Sequence, residues 1–299
     1  MDAVRDHQSA VRGRFAPTPS GPLHFGSLVA ALASCLDVRS RGGEWLLRID
    51  DLDREREVAG ARETILDDLG ALGFTWDGPV YTQYERGTRY REAVNRLLAE
   101  NKAFPCACSR SEINEQTEDD EACAIYPGTC RDGLPPGREA RSIRLRIPDC
   151  TIAFDDEWAG RIQQDLAREV GDFVVWRVED IASYHLATVL DDADAGITRI
   201  VRGADLLGST PRQILLQRLL GLPSPDYAHF PLVRMVDGRK LGKQTHAPRI
   251  DTSRPARTLL AALDFLHQSP PPELASATVD DVWSWALSHW HPVAVNGGT

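Results

Sequence analysis

A turn rich in proline, serine and glycine follows the first short apolar segment of the chain and contains one histidine, His24. It reads PTPSGPLHFGS over residues 17–27. When such a turn lies between a strand and a helix, its backbone N–H groups and the helix N-terminus can bind an anion. Gly21 and Gly26 have no side-chain bulk, so His24 can approach a phosphate or a ribose. A lone His-x-Gly could merely cap a helix, but the full run predicts a nucleotide site.

Two lysines near the other end of the chain have a spacing that suits the same nucleotide. Lys240 and Lys243 are three residues apart in a glycine-containing loop, RKLGKQ, at 239–244. Such a loop can close over a triphosphate and stabilise the charge that develops on a pyrophosphate leaving group. Two lysines in a surface loop are commonplace by themselves. Paired with the front turn, they predict that ATP is bound and activated.

Three cysteines in an irregular stretch could ligate a metal. Cys106, Cys108 and Cys130 lie within residues 104–147, which are rich in Cys, Pro, Gly and acids and show little periodicity. Zinc (Zn²⁺) bound by thiolates can hold a loop that buries too little apolar area to fold alone. Cys123 would complete a four-cysteine site, and the alternative is reduced cysteines without metal. No open coordination position or nearby general base is apparent, so the metal would be structural.

Alternating strands and helices position these motifs. A strand at 13–16 leads into the front turn, a helix of small and apolar residues at 27–36 leaves it, and a second strand spans 44–50. This alternation favours an α/β fold with a doubly wound parallel sheet. The further predicted elements are helices at 59–72, 88–100 and 211–220, strands at 172–177, 185–190 and 197–202, and two tail helices at 255–267 and 279–289.

The composition suits a globular protein with a substantial core. Of 299 residues, 42% are hydrophobic and 7% aromatic, and 34 Lys and Arg against 44 Asp and Glu give a net charge of −10. This acidic balance argues against a surface that coats nucleic acid generally, although a local basic face is compatible with it. Residues 1–11 lead into no secretory apolar region, and the apolar run 28–33 is too short to cross a bilayer. We therefore expect a cytoplasmic protein with no membrane partner.

Together these motifs resemble those of the class I aminoacyl-tRNA synthetases of the glutamate type. The front turn is similar to the HIGH element of that class, and the lysine loop to its KMSKS element. Three stretches are similar to the glutamate branch in particular: RFAPTPSG at 14–21, RIDDLD at 48–53 and IVRGADLL at 200–207. The resemblance implies that His24, Gly26, Lys240 and Lys243 bind ATP with Mg²⁺, and that His24 and Lys243 are catalytic.

The resemblance also implies the domain organisation. Residues 12–103 and 148–254 would be the two halves of a Rossmann-like catalytic domain, and 104–147 would be a zinc-binding insertion between them. Residues 255–299 would form a short helical tail rather than a full anticodon-binding domain. Within the insertion, the family's Cys-x-Cys followed by Tyr-x-x-x-Cys implies Tyr126 as the fourth ligand beside Cys106, Cys108 and Cys130, with Cys123 as the alternative.

L-Glutamate carries two carboxylates and one ammonium group, and so needs both cationic and acidic partners. The resemblance implies that Arg14 and Arg202 hold substrate carboxylate, that Asp50 holds the ammonium group and that Tyr184 adds a hydroxyl contact before a strand beginning at His185. The family more often has Glu where Asp50 stands, and each charged residue could instead be a salt-bridged strand end. The other expected substrate-binding residues belong to the front turn: Phe15, Ala16, Pro17 and Thr18.

The chain ends at Thr299, soon after the lysine loop. This layout resembles the truncated, glutamyl-Q type of synthetase, for which the resemblance implies adenylation of glutamate without tRNA and transfer to queuosine of tRNA(Asp). We expect ATP, L-glutamate and queuosine-containing tRNA(Asp) as partners, with a monomer favoured. The alternatives are a shortened ordinary glutamyl-tRNA synthetase, a nucleotidyltransferase or ligase that adenylates another small acid, and an inactive binding module.

Overall fold

The computed structural model describes residues 10–116, 125–231 and 248–292. Strands and helices alternate through the first of these ranges, as predicted. The elements are β1 (Arg12–Phe15), α1 (Phe25–Ser40), β2 (Glu44–Ile49), α2 (Ala61–Ala71), β3 (Tyr81–Thr82), α3 (Gly87–Ala99), β4 (Ala103–Cys106), α4 (Arg110–Gln116), β5 (Ser142–Leu145), β6 (Thr151–Asp156), β7 (Gly160–Asp165), α5 (Leu166–Glu169), β8 (Val174–Trp176), α6 (Tyr184–Asp194), β9 (Arg199–Gly203), α7 (Thr210–Leu220), β10 (Asp226–Phe230), α8 (Pro255–Phe265) and α9 (Val279–His289).

Two parallel sets of strands meet in the middle of the molecule. Strands β1, β2 and β3 pair in parallel, and so do β9, β10 and β6. The two sets adjoin where the Thr198 backbone N–H donates to Arg12 O over 2.9 Å, just before β9. Parallel α/β sheets bind ligands outside the carboxyl ends of their strands, at the point where the strand order reverses. The sheet therefore places the cleft beyond β1 and β9.

The predicted parallel sheet is accompanied by antiparallel pairs. Strand β7 pairs antiparallel with β6 at one edge, and β4, β5 and β8 form a separate antiparallel sheet. The cysteine-rich stretch thus begins in one strand and returns through another. Its ends are fixed by ladder hydrogen bonds that the irregular sequence did not predict.

The prediction of a strand at 185–190 is wrong, because these residues lie in α6. The side chain of Ser183 caps this helix by accepting from the Leu186 N–H. The helix ends before Gly196, which has a φ of 66°. Six residues are too few to separate a buried helix from an apolar strand, and the helical spacing of Leu186, Val189, Leu190 and Ala193 extends beyond residues 185–190.

A series of aromatic rings connects the tail with the central sheet. Phe15 on β1 stacks on Trp45 at 6.4 Å between ring centroids, and Trp45 stacks on Phe74 at 5.7 Å. Phe74 meets Trp283 of α9 edge-on at 4.9 Å, and the Trp283 indole N–H donates to Leu72 O. The tail helices therefore share one hydrophobic core with the first half of the sheet. None of the helices in the described ranges is long and apolar enough to span a membrane.

Candidate active site

A cavity of about 370 Å³ opens at the carboxyl ends of β1, β2 and β9. The predicted substrate and nucleotide residues that the structure describes all line it, although they come from distant parts of the chain. These residues are Arg14, Phe15, Ala16, Pro17, Thr18, His24, Gly26, Asp50, Tyr184 and Arg202.

His24 caps α1 at the cavity wall. Its Nδ1 accepts from the Ser27 N–H over 3.3 Å, and its Nε2 lies 3.1 Å from the Ser27 hydroxyl. Because α1 begins here, its first backbone N–H groups lie beside the cavity, where an anion is stabilised. The histidine therefore acts as a helix cap within the cleft, so capping and a place at the predicted phosphate site are compatible.

Lys240 and Lys243 lie outside the described residues. The described chain resumes at residue 248 and at once pairs with the front turn, where the Ile250 N–H donates to Leu23 O over 3.1 Å. The backbones of Arg249 and His24 form an isolated antiparallel β-bridge. The segment that follows the lysine loop is thus joined to the turn that carries the histidine.

A buried group of charges lies beneath the wall of the cavity that Arg14 and Asp50 form. Arg14 donates to both oxygens of Asp192, over 3.0 and 3.1 Å. Arg48 donates to Asp50 over 2.6 Å and to Asp192 over 2.7 Å. Asp192 accepts from both guanidinium groups, so Arg14 already has an anionic partner in the protein.

A second aspartate, Asp191, anchors this group to α3. It accepts from Gln83 over 2.7 Å, from Arg86 over 2.6 Å and from the Tyr90 hydroxyl over 2.8 Å. Burial raises the pKa of Asp191, although nearby Arg48 opposes that shift. The hydrogen bonds fix the orientation of α6, and with it the position of Tyr184 at its first turn.

Burial also affects the pKa values of Asp50 and Asp192, the two carboxylates that accept hydrogen bonds from Arg48. It raises the pKa of Asp50 to about 6, against the opposing effect of Arg48. Burial acts in the same direction on Asp192, but the Arg14 and Arg48 guanidinium groups outweigh it and hold the pKa of Asp192 below its ordinary value. Asp50 is therefore the carboxylate of this group that changes charge within an accessible pH range.

Arg202 differs from Arg14 and Arg48 because all three groups that accept from it are neutral. Its Nε donates to His229 Nε2 over 3.0 Å, and its Nη2 donates to Thr210 and Gln213 over 2.9 and 2.8 Å. Its Nη1 is buried and has no partner among the described residues. Arg202, which lines the cavity, thus keeps a pair of N–H donors without a partner among the described residues.

The cysteines predicted to hold a metal converge under the β4–β5 pair. The sulfur atoms of Cys106, Cys108 and Cys130 all lie within 4.8 Å of one another. The Tyr126 hydroxyl is 3.5 Å from Cys106 Sγ and 3.8 Å from Cys108 Sγ, and it accepts from the Cys130 N–H over 2.7 Å. Arg144 Nε donates to Cys106 Sγ over 3.3 Å, which favours a thiolate. This cluster could bind a metal ion, whereas Cys123 lies outside the described residues.

Residues 10–254 match a protein-family model, that of the catalytic domain of the class I tRNA synthetases (E and Q). A glutamyl-Q tRNA(Asp) synthetase of Aromatoleum aromaticum is 53% identical over 283 residues, which cover 95% of this chain and 90% of that protein. The chain belongs to the glutamyl-Q tRNA(Asp) synthetase family. A second family member, from Thiobacillus denitrificans, is 51% identical, with 95% of this chain and 94% of that protein covered.

The solved structures place this member of the glutamyl-Q tRNA(Asp) synthetase family next to glutamate-tRNA ligases. The crystal structure of one from Elizabethkingia meningosepticum, in complex with its amino acid, has a TM-score of 0.70 and 29% identity. The alignment covers 79% of this chain but only 52% of that one. The enzyme from Elizabethkingia anophelis also has a TM-score of 0.70, with 27% identity over 79% of this chain and 53% of its own.

The sequence did not single out the residues that support the cleft in this glutamyl-Q tRNA(Asp) synthetase family member. Asp191 and Asp192 lie on α6, directly after the residues 185–190 that were predicted as a strand, and His229 and Asp156 lie on neighbouring strands. One signal was available: two adjacent acids follow an apolar run, and burial there would require cationic partners. No such signal marked His229.

Proposed function

We propose that the protein adenylates L-glutamate with ATP, without tRNA, and transfers the glutamyl group to the cyclopentenediol of queuosine in the anticodon of tRNA(Asp). The observation that carries this proposal is the sequence identity of 53% and 51% to two curated glutamyl-Q tRNA(Asp) synthetases, over almost the full length of both chains. The proposal is also supported by the cavity, because all the candidate substrate and nucleotide residues that the structure describes line it. An ATP- and tRNA-dependent reaction fits a cytoplasmic enzyme.

In this proposal, the two ends of glutamate are distinguished by charge. The unpartnered Nη1 edge of Arg202 binds a substrate carboxylate, because a buried guanidinium with only neutral partners favours an anion. Asp50 binds the ammonium group, and Tyr184 supplies a hydroxyl at the mouth. Arg14, which Asp192 holds in place, also contacts a substrate carboxylate. Phe15 to Thr18 form the adjoining wall.

The nucleotide binds at the opposite wall of the cavity. His24, Gly26, Lys240 and Lys243 hold ATP, with the N-terminus of α1 directed at a phosphate. Mg²⁺, when bound with ATP, neutralises phosphate charge. His24 and Lys243 stabilise the charge that builds up as pyrophosphate leaves.

The reaction has two steps. A glutamate carboxylate oxygen attacks the α-phosphorus of ATP, and the bond to pyrophosphate breaks in line. A queuosine hydroxyl then attacks the acyl carbon and loses its proton, and AMP leaves with the electrons of the acyl–oxygen bond. Neither step needs a covalent bond to the protein, so the side chains act by positioning and by charge.

We further propose that the metal cluster binds a structural zinc ion through Cys106, Cys108, Tyr126 and Cys130. Three sulfur atoms and one phenolic oxygen converge, which is the ligand number of a closed structural zinc site. When bound, zinc would link β4 to the loop that carries Cys130. Such a link stabilises a small, mostly polar segment that has few buried residues of its own.

Two assays test the proposed function. Pyrophosphate exchange without tRNA, run with each amino acid in turn, should respond to glutamate; absence of a glutamate signal would sink the proposal. Labelled glutamate should then be transferred to tRNA(Asp) that contains queuosine and not to the same tRNA lacking it. Labelling at the 3′ end of tRNA(Glu) would instead identify a shortened ordinary glutamyl-tRNA synthetase.

A further inference from the structure

A hydrogen-bonded series of three buried side chains runs from β6 through β10 to the cavity. The carboxylate oxygen Oδ2 of Asp156 lies 2.5 Å from His229 Nδ1, and Arg202 Nε donates to His229 Nε2 over 3.0 Å. Arg202 and His229 are direct partners in the parallel pairing of β9 with β10. The sheet itself therefore brings the histidine against the arginine that lines the cavity.

Arg202 determines where the proton of His229 lies. A guanidinium stays protonated in proteins and can only donate. His229 Nε2 must therefore accept and carry no hydrogen, which leaves the ring proton on Nδ1, facing Asp156. Burial lowers the pKa of His229 and the charge of Arg202 lowers it further, against the opposing bond to Asp156. The ring is thus neutral and in a single tautomer.

The two oxygens of Asp156 are not interchangeable. Oδ1 accepts three backbone N–H groups, from Trp158 over 3.1 Å, from Ala159 over 2.8 Å and from His229 over 3.0 Å. This leaves Oδ2 as the atom that faces the ring. The carboxylate accepts hydrogen bonds on both sides and presents only an acceptor to His229 Nδ1.

We propose that Asp156 and His229 are positioning residues that direct Arg202 Nη1, which has no partner among the described residues, at the substrate carboxylate. The inference rests on the proposed role of Arg202 in binding glutamate. His229 holds Nε, and Thr210 and Gln213 hold Nη2, so the orientation of the guanidinium plane is fixed and Nη1 is left for the ligand. If His229 were protonated on Nε2, it would oppose the Arg202 Nε–H and turn this plane.

Asp156→Asn tests the proposal, because the three backbone N–H groups require the amide oxygen at the Oδ1 position. The amide NH₂ then faces His229 Nδ1, which must accept, and the ring proton moves to Nε2. We expect the KM for glutamate in pyrophosphate exchange to rise about 10- to 100-fold, in the range of a lost hydrogen bond to a charged group. The KM for ATP should stay unchanged. Asp155→Asn is the matched control, since Asp155 is 78% exposed and pairs, within the described ranges, with surface Arg161.

Two further measurements keep the proposal open to refutation if Asp156→Asn folds poorly. His229→Gln, which can offer an acceptor at the Nε2 position, should retain more glutamate affinity than His229→Leu; equal losses would show that the acceptor is unimportant. In ¹⁵N-histidine spectra, the His229 signal, assigned by its loss in His229→Gln, should be that of the Nδ1–H tautomer. An Nε2–H or doubly protonated ring would overturn the proposal. This spectrum needs no substrate, so it is independent of whether the protein activates glutamate.

Discussion

Asp192 binds Arg14 and Arg48 at the same time: it accepts a pair of bonds of 3.0 and 3.1 Å from the first, and one of 2.7 Å from the second. The two arginines come from adjacent strands, whereas the aspartate comes from a helix in the second half of the chain. One carboxylate therefore connects the two halves of the α/β fold beneath the cavity.

Removal of this carboxylate should destabilise the fold. Asp192→Ala leaves two buried guanidinium groups without one of their partners, and we expect a loss of about 3–5 kcal/mol in the free energy of unfolding, as for breaking a buried ion pair. Denaturant unfolding measures this. Asp194→Ala is the control, because Asp194 pairs with Arg86 and Arg89 in a more exposed position and should cost about 1 kcal/mol or less. Equal losses in the two variants would contradict the connecting role of Asp192.

Arg202 should be needed for the amino acid and not for the nucleotide. In Arg202→Ala, pyrophosphate exchange with glutamate should fall below detection, while ATP binding followed by calorimetry persists. Arg161→Ala is a control at an exposed arginine outside the cavity. Retained exchange in Arg202→Ala would show that this arginine is only structural.

Glutamate binding should weaken as the pH falls through about 6. The pKa of Asp50 is raised to about 6 by burial, so the carboxylate is ionised above that pH and becomes neutral below it. The ammonium group then loses its anionic partner, and the KM for glutamate should rise about tenfold for each further pH unit while the KM for ATP changes little. The carboxylates of free glutamate have lower pKa values and stay ionised over most of this range.

The Asp50→Asn variant distinguishes the titration of Asp50 from acid denaturation of the whole protein. It should have a high KM for glutamate at neutral pH and lose the pH dependence around 6. A variant whose KM keeps the wild-type pH profile would assign that profile to another group.

Metal content can be measured directly. We expect about one zinc per chain by elemental analysis, since a closed tetrahedral site holds a single ion. Cys130→Ser should lose the metal and lower the melting temperature, whereas Cys150→Ser, outside the cluster, should change neither. Tyr126→Phe compared with Cys123→Ser decides which residue is the fourth ligand. Full zinc in Cys130→Ser would contradict the assignment.

The parts of the fold and site with local sequence signals could be predicted. The front turn predicted the preceding strand, the following helix and the cavity wall, because glycine, proline and a helix-capping residue act within a few positions of each other. The same holds for the Cys106 and Cys108 pair. Residues 185–190 of α6 were mistaken for a strand, because a run of six mostly apolar residues is too short to distinguish a strand from part of a buried helix.

The supporting residues could not be predicted, because their partners are distant in the chain. Asp156 meets His229 across 73 positions, and Arg14 meets Asp192 across 178. An acid in a sequence is ordinarily solvent-exposed. Only the tertiary fold shows that these are buried and which base each one faces.

The aromatic series from Trp283 to Phe15 gives this protein a built-in optical reporter. Phe15 lines the cavity, and its neighbour Trp45 is fully buried in the stack. Indole emission depends on the local environment, so a ligand that shifts Phe15 changes the fluorescence of a tryptophan already in place. We expect ligand binding in the cavity to change the fluorescence of the unlabelled protein, and the Trp45→Phe variant, which keeps the other tryptophans, should show how much of that change comes from Trp45.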